Sequence, residues 1–315
     1  MEITDEIINN RYKNNIFFNS PNGISNIKIL HKKVINNDKP FFSIIIPVCN
    51  QESIIIKNIN SVLEQTIVKY FELILIIDCC SDNTEKNINY WFDNLKIENY
   101  SLLTNILILK SEIPLFETSA DNIGFFCSQG KYCLEIQADM EMTDKGYNMR
   151  LLQPFLLDNN IIGISGRCCH DFKCSKGIGK LGADILIKIN DLPHVDINSY
   201  YIGETCNRGP LLLDREKLIT MKYLDEVNYF LDNSDHDLFA RAFVEKSWIC
   251  GYVPIDFFSL LENGTTRKKR DMLNQLYYDK KMFETQNGEN GFLFKNINNI
   301  PYRYIVEKKL YPYNE

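Results

Sequence analysis

Three apolar runs in the chain each end in a short cluster of polar residues, and two of the three clusters contain carboxylates. The runs are FFSIII from Phe41, FELILII from Phe71 and KYCLEI from Lys131, and the polar residues that follow include Asn50, Asp78, Asp82 and Asp139. Such short, nearly continuous apolar runs are typical of strands in a parallel sheet that is covered on both faces. Because ligands bind outside the carboxyl ends of these strands, the polar residues should share one crevice. An acidic crevice of this kind predicts a metal-assisted site for a phosphorylated ligand.

The strands that would position these residues alternate with predicted helices. Strands are predicted at 41–48, 71–77, 105–109, 132–137 and 161–165, with helices from about Glu52 and at 84–95, 119–130 and 146–157. This alternation predicts an α/β fold with a doubly wound, mainly parallel sheet. After Arg167 this alternation of strands and helices ends, and residues 168–205 are predicted to be irregular. A short strand at 209–213, a helix from Ser234 or Asp235 to Lys246 and a strand at 248–253 follow.

Composition limits the class of protein and its partners. The 315 residues are 45% hydrophobic with a net charge of −6, which supports a full core and argues against nucleic acid as a partner. No apolar run is long enough to span a bilayer and the polar N-terminus does not resemble a signal peptide, so a soluble, cytoplasmic protein is predicted. The ten scattered cysteines predict reduced thiols; zinc at the group Cys168–Cys174 is the weaker alternative because no second ligand pair follows.

Three segments are predicted along the chain. Residues 1–39 are polar and Asn-rich and are interpreted as an N-terminal extension with a linker, residues 40–266 as the α/β domain, and residues 267–315 as a helical, aromatic-rich tail. Functional residues are therefore expected in the middle segment.

Four motifs, in this order, resemble those of family 2-type glycosyltransferases with the GT-A fold. They are FFSIIIPVCNQES with SVLEQT, FELILIIDCCSDNT, GKYCLEIQADMEM, and NRGPLLLDREKL with NSDHDLFAR, and together they cover about residues 41–266. The resemblance implies a GT-A sheet and transfer of a hexosyl group from a nucleotide-sugar donor, with a UDP-sugar as the default. The acceptor hydroxyl would belong to a glycan, a protein or a small molecule.

The resemblance also implies a donor site. Its nucleotide end would be formed by Pro47, Asn50, Asp78, Asp82 and Asn122. A divalent metal, Mn²⁺ or Mg²⁺, would be held by Asp139 and Glu141 and would stabilise the departing diphosphate. From the residues alone, a weaker alternative is that Asp78 and Asp82 are turn residues that cap helices and that Asp139 is a turn residue.

On the acceptor side, Asp235 matches the family's general base, which removes the proton of the attacking hydroxyl in a single inverting displacement. A carboxylate at a helix N-terminus can also serve only as a cap. Asp237 and Arg241 are predicted to anchor the same helix. Arg208 either contacts phosphate or acceptor, or pairs with a carboxylate.

The sequence departs from the family pattern at three places. Gln137 replaces the first Asp of the D-x-D motif, Cys79 replaces the second Asp after the second strand, and no His follows the last strand, where Glu262 is the possible substitute. These departures keep a second function open, a catalytically silent GT-A-fold binding or scaffold protein. A sugar-phosphate nucleotidyltransferase is the third alternative, but the stretch PVCNQES lacks the glycines and basic residue of its phosphate loop.

Overall fold

A computed structural model describes residues 2–18, 27–172, 179–182, 195–259 and 270–310. The strands are β1 Lys28–Val34, β2 Phe42–Val48, β3 Phe71–Asp78, β4 Leu103–Ser111, β5 Tyr132–Glu135, β6 Met140–Met142, β7 Ile161–Ser165, β8 Cys168–His170, β9 Lys180–Gly182, β10 Ser199–Gly203, β11 Thr205–Cys206, β12 Leu211–Asp214, β13 Ile249–Tyr252, β14 Phe257–Ser259 and β15 Val306–Lys309. The helices are α1 Asp5–Asn9, α2 Ile55–Gln65, α3 Thr84–Asp93, α4 Phe116–Cys127, α5 Tyr147–Leu157, α6 Arg215–Thr220, α7 Ser234–Lys246, α8 Met272–Thr285 and α9 Phe292–Asn296.

The central sheet has the strand order β1-β4-β3-β2-β5-β12-β7-β13-β10-β15. The four neighbouring strands β4, β3, β2 and β5 are parallel, and β7, β13 and β15 share their direction, whereas β1, β12 and β10 run the opposite way. The predicted doubly wound, mainly parallel α/β sheet is therefore confirmed. Since the parallel strands end at one edge, their last residues form a common rim.

Both faces of the sheet are covered by helices, which is why the central strands are apolar throughout. On one face, alternate residues of β2 and β3 such as Ile44 and Leu73 pack with α2, α3 and α5. On the other face, Ile45 and Ile74 pack with α4 and α7. Gly124 of α4 lies directly over Ile45, so a side chain at this position would collide with the strand.

Several elements differ from the sequence prediction. Residues 1–39 contribute a strand, β1, which pairs antiparallel with β4 at the sheet edge. Residues 168–205, predicted to be irregular, contain β8, β9 and β10, because their partners are residues distant in the sequence. The helix predicted at 119–130 is α4, which ends before Gly130; a Cβ at Gly130 would lie 2.7 Å from the Phe42 carbonyl carbon, so the glycine allows chain approach instead of capping the helix.

Two further features of the fold are the start of helix α8 and the state of the cysteines. Residues 267–269 of the basic stretch lie outside the described residues. Helix α8 begins at Met272, and the Asp271 side chain caps it by accepting a hydrogen bond from the Asn274 amide. None of the described cysteines forms a disulfide; Cys174 and Glu262 lie outside the described residues. Within the described ranges, no helix has the length and apolar character needed to cross a bilayer.

Candidate active site

The loops after β2 and β3 are tied together by Asn50 and Asp82. Asn50 Oδ1 accepts a hydrogen bond from the Ser81 amide at 2.7 Å. Asp82 uses both oxygens, accepting from the Glu52 amide at 3.0 Å and from the Thr84 amide at 2.9 Å. The second of these bonds satisfies a free N–H at the start of α3. The two residues therefore give the rim of the crevice its shape.

Asp78 holds the start of α4. Its carboxylate is buried and accepts hydrogen bonds from the Leu115 amide at 2.6 Å and the Phe116 amide at 3.0 Å. Phe116 has a φ of 60°, a strained conformation for a bulky residue, and these bonds help to hold it there. Burial raises the pKa of Asp78 to about 7, although the two backbone hydrogen bonds act in the opposite direction. The contacts of the Asp78 carboxylate are thus those of a residue that caps the start of a helix.

The two other residues predicted for the nucleotide end lie in different surroundings. Pro47 is half-buried near the carboxyl end of β2. Asn122 is fully buried in α4, where its amide nitrogen donates to the Leu224 carbonyl and to Glu226, and its oxygen accepts from the Leu224 amide. The Asn122 side chain therefore fastens α4 to the segment before α7 and lies inside the protein, away from the rim formed by Asn50 and Asp82.

The two predicted metal ligands differ in what they contact. Asp139 lies half-buried in the turn between β5 and β6, at the carboxyl end of a central strand. Glu141 lies on β6 and forms an ion pair with Lys57 of α2 at 2.7 Å. Among the residues that the structure describes, no group of three or more His, Cys, Asp or Glu side chains is arranged to hold a metal ion. Of the two predicted ligands, Glu141 is thus engaged by a lysine side chain.

Gln137 occupies the position of the first D-x-D carboxylate and bridges two charged residues. Its nitrogen donates to Glu117 Oε1 at 2.9 Å and its oxygen accepts from Arg167 Nη1 at 3.0 Å. The Gln137 amide donates and accepts at once, whereas an Asp here would place a second carboxylate against Glu117. The local contacts therefore explain this departure from the family pattern.

Asp235 is the second residue of α7 and is only 6% exposed. Its two oxygens accept hydrogen bonds from the Arg208 amide at 3.2 Å and the His236 amide at 2.9 Å, and the Arg208 Nε lies 3.8 Å away. Burial alone would raise the pKa of Asp235, but the charges of His236 and Arg208 and the two backbone hydrogen bonds lower the pKa below its usual value. The carboxylate is ionised at neutral pH and able to accept a proton.

Arg208 is held by acidic partners. Its Nη1 contacts Asp121 Oδ2 at 2.8 Å, its Nη2 donates to the Leu231 carbonyl at 2.6 Å, and its Nε lies 3.6 Å from Glu117. Burial would lower the pKa of Arg208, but the three carboxylates Glu117, Asp235 and Asp121 raise it. Of the two roles left open by the sequence, the structure shows the pairing with a carboxylate.

A comparison with known protein families matches part of the chain. Residues 43–174 match the model of the glycosyl transferase family 2, and this segment is similar to that family. The match supports glycosyl transfer from a nucleotide-sugar, and the fold is the GT-A fold. No curated protein matches the sequence of this glycosyltransferase.

Solved structures support the fold of the glycosyltransferase. GalNAc-T7 with UDP, GalNAc and Mn²⁺ is similar with a TM-score of 0.51 and 13% identity, over 84% of this chain and 59% of that one. Two further structures have lower TM-scores. The mannosyltransferase PcManGT from Pyrobaculum calidifontis with GDP-Man and Mn²⁺ gives 0.48 at 15% identity, over 72% of this chain and 59% of that one. S. aureus TarS 1–349 gives 0.46 at 15% identity, over 82% of this chain and 73% of that one.

Three carboxylates of the glycosyltransferase, two of them buried and one half-buried, escaped the sequence reasoning as site residues. They are Glu117, Asp121 and Glu135, and they surround Arg208. Glu135 Oε2 accepts from the Gly209 amide at 2.7 Å, whereas its Oε1, like Asp121 Oδ1, has no hydrogen-bond partner among the described residues. Burial, followed by the charges of Asp121 and Glu117, raises the pKa of Glu135 well above its usual value. Glu135 could have been found from the sequence, because it is a lone carboxylate inside the apolar run KYCLEI.

Two histidines contact the residues that come shortly before Arg208 in the chain. His236 Nδ1 lies 2.7 Å from the Thr205 hydroxyl, and its ring packs edge-to-face on His170 with centroids 4.9 Å apart. His170 Nε2 in turn lies 2.8 Å from Asn207 Oδ1. Burial lowers the pKa of His236, although the charge of the neighbouring Asp235 acts in the opposite direction. Arg208, whose pKa is raised by its carboxylate neighbours, is the permanent positive charge beside Asp235.

Asp237 and Arg241 lie one turn apart on α7, away from Asp235. Arg241 donates to Asp237 at 2.7 Å and to the carbonyls of Met221 and Tyr223. Asp237 also accepts from the Leu293 amide at 2.9 Å, which connects α7 to α9. Both side chains are buried and link α7 to the surrounding chain, so they fix the position of the helix that carries Asp235.

Proposed function

We propose that the protein is an inverting glycosyltransferase that moves a hexosyl group from a UDP-sugar to an acceptor hydroxyl, with Asp235 as general base. The observation that carries the proposal is the Asp235 carboxylate at the start of α7, which accepts hydrogen bonds from two backbone amides and lies 3.8 Å from the Arg208 Nε. These contacts lower its pKa and favour the ionised form. A base in this state accepts a proton without first losing one.

The proposed reaction is one displacement at the anomeric carbon. The acceptor oxygen forms a bond to this carbon as the bond to the nucleoside diphosphate breaks, and the hydroxyl proton passes to Asp235. The attack comes from the face opposite the leaving group, so the anomeric configuration inverts. Arg208 and the α7 N-terminus keep Asp235 ionised before the step.

The donor end of the proposal rests on the rim residues. Pro47 and Asn50 would line the nucleotide end, with Asp78 and Asp82 holding the loops that shape it. Asp139 lies after a central strand and offers a hard oxygen ligand that suits Mg²⁺ or Mn²⁺. Glu141 forms an ion pair with Lys57. A bound divalent ion would stabilise the negative charge of the departing diphosphate.

Donor hydrolysis and transfer test the proposal. UDP- and GDP-sugars would be incubated with protein and Mn²⁺ or Mg²⁺, with and without EDTA, alone and with simple sugar acceptors. Asp235→Asn should reduce turnover at least 100-fold while donor binding, measured by calorimetry, stays within a factor of three. Asp139→Asn should lose metal-dependent turnover, and the matched variant Glu141→Gln should keep most of it.

Full turnover by Asp235→Asn would contradict the assigned base. Equal losses in Asp139→Asn and Glu141→Gln would contradict the assigned metal ligand. Donor binding without turnover on any acceptor would favour the second candidate, a catalytically silent binding protein, which is supported by the engagement of Gln137 and Glu141 in contacts within the protein.

A further inference from the structure

A second concave site lies on the outer side of α2 and α3. This α2–α3 cleft has a volume of about 330 Å³, is bounded by the two helices and the segment 94–100, and contains none of the residues of the candidate active site. The volume is at the lower end of the range for small-molecule sites, roughly 300 to 1,000 Å³. The cleft is large enough for a small ligand and separate from the catalytic rim.

The polar lining of the cleft consists mainly of carboxamides. Four asparagines contribute to it, Asn60, Asn87, Asn94 and Asn99. Asn60 Oδ1 accepts from the Trp91 indole at 3.1 Å, and Asn94 Nδ2 donates to the Tyr90 carbonyl at 2.8 Å, so both amides are held in a fixed orientation. The remaining Asn60 nitrogen and Asn94 oxygen have no partner among the described residues. Each amide thus keeps one group for a ligand, a donor in one case and an acceptor in the other.

Aromatic rings form the rest of the recognition surface. Tyr90, Trp91 and Tyr100 line the cleft, and Tyr90 is 71% exposed. An exposed tyrosine ring presents an apolar face beside a polar tip, which is the surface that a sugar ring with its C–H face and hydroxyl rim complements. The aromatic face and the fixed amides together match a ligand that is both apolar on its faces and rich in hydroxyls.

The charges of the lining exclude other ligand classes. Lys96 is its only ionisable side chain apart from the tyrosines, so the cleft has no carboxylate for a metal ion. One flexible ammonium without a helix N-terminus or arginine fork is a weak phosphate site. A neutral, polyhydroxylated ligand remains as the class that fits.

We propose that the α2–α3 cleft is a saccharide-binding site that holds a neutral sugar unit away from the catalytic crevice. The choice of a sugar over another neutral polyol rests in part on the proposed function, because a glycan acceptor of a glycosyltransferase would supply it. The cleft would then hold one part of the acceptor chain while another part reacts. Binding at the cleft needs neither donor nor metal.

Nuclear magnetic resonance tests the site directly. Isotope-labelled full-length protein would be titrated with diacetylchitobiose, maltotriose and mannotriose at millimolar concentration, without donor. At least one sugar should shift the amide signals of the cleft asparagines. The double variant Tyr90→Ala/Asn99→Ala removes two exposed residues and should weaken that binding at least tenfold. The matched control Tyr304→Ala removes a tyrosine that is 77% exposed elsewhere and should leave it unchanged.

Two results would overturn the inference: no binding by any of the three sugars, or equal binding by wild type and the double variant. Asp235→Asn keeps the cleft intact and should bind the sugar like wild type. Sugar binding together with failed turnover would therefore overturn the proposed function alone, and turnover without cleft binding would overturn the cleft alone.

Discussion

Replacing Glu135 with Gln tests the unusual charge state at the centre of the site. Glu135 Oε2 accepts the Gly209 amide at 2.7 Å, and Glu135 Oε1 is buried without a partner among the described residues. The charged groups that face it are Asp121 and Glu117 of α4 and Arg208. Burial and the charges of these two carboxylates raise the pKa of Glu135 well above its usual value, which favours the neutral carboxyl. A glutamine has the same shape, keeps an acceptor for Gly209 and is also neutral.

The expected effects on the free energy of unfolding differ among three variants. Glu135→Gln should change it by less than about 1 kcal/mol at pH 5, because the raised pKa of Glu135 favours the neutral carboxyl that the amide replaces. Glu135→Ala leaves the Gly209 amide buried without its acceptor, which should cost roughly 1–3 kcal/mol. Asp121→Asn breaks the buried pair with Arg208 at 2.8 Å and should cost about 3–5 kcal/mol.

The pH dependence follows from the sign of the shift. Because the folded pKa of Glu135 is raised, its stabilising contribution is complete below the unfolded pKa and is lost as pH rises through the folded pKa. Glu135→Gln removes this loss, so the variant should become more stable than wild type on the alkaline side. Asp121, whose pKa is raised to about 7 chiefly by burial, still contributes a decline between about pH 4 and 7 in both proteins.

Urea unfolding followed by tryptophan fluorescence and circular dichroism, between pH 5 and 9, measures these differences. Activity at pH 7 should be similar in wild type and Glu135→Gln. The reasoning is refuted if Glu135→Gln is destabilised as much as Glu135→Ala, or if its stability declines with pH as steeply as that of wild type.

Three further predictions concern the residues around the site. Asp78→Asn presents an amide nitrogen to the Leu115 or Phe116 amide, so it should lower stability by roughly 1–3 kcal/mol, measured by thermal unfolding, and no loss would contradict the anchoring of α4. Since the pKa of Asp235 is lowered, the pH profile of kcat/KM should show no acidic limb from this residue between pH 5 and 8. The Asp235→Glu enzyme, whose carboxyl has a different pKa, is the control. An acidic limb in wild type that is absent from Asp235→Glu would argue against an ionised Asp235. Gly124→Ala should destabilise by about 1–3 kcal/mol because its methyl group would meet Ile45, while Ala120→Gly on the same helix serves as the packing control in urea unfolding.

Much of the fold follows from local sequence patterns. The apolar runs after Phe41 and Phe71 predict β2 and β3 because strands buried on both faces need apolar residues at every position. Asp139 and Asn50 come directly after strands, so their place at the carboxyl rim follows from chain direction alone. Strand β1, by contrast, is only partly buried, and its pairing with β4 depends on residues about 75 positions away.

The sequence by itself determined the α/β class, the carboxyl rim of the sheet and the start of the helix that carries Asp235. Only the tertiary structure decided the partners and charge states of the side chains. Arg208 pairs with Asp121, 87 residues away, Glu141 with Lys57, and Glu135 with the Gly209 amide. Backbone patterns depend on neighbouring residues, whereas a pKa depends on burial and on charges that long-range folding brings within a few ångströms.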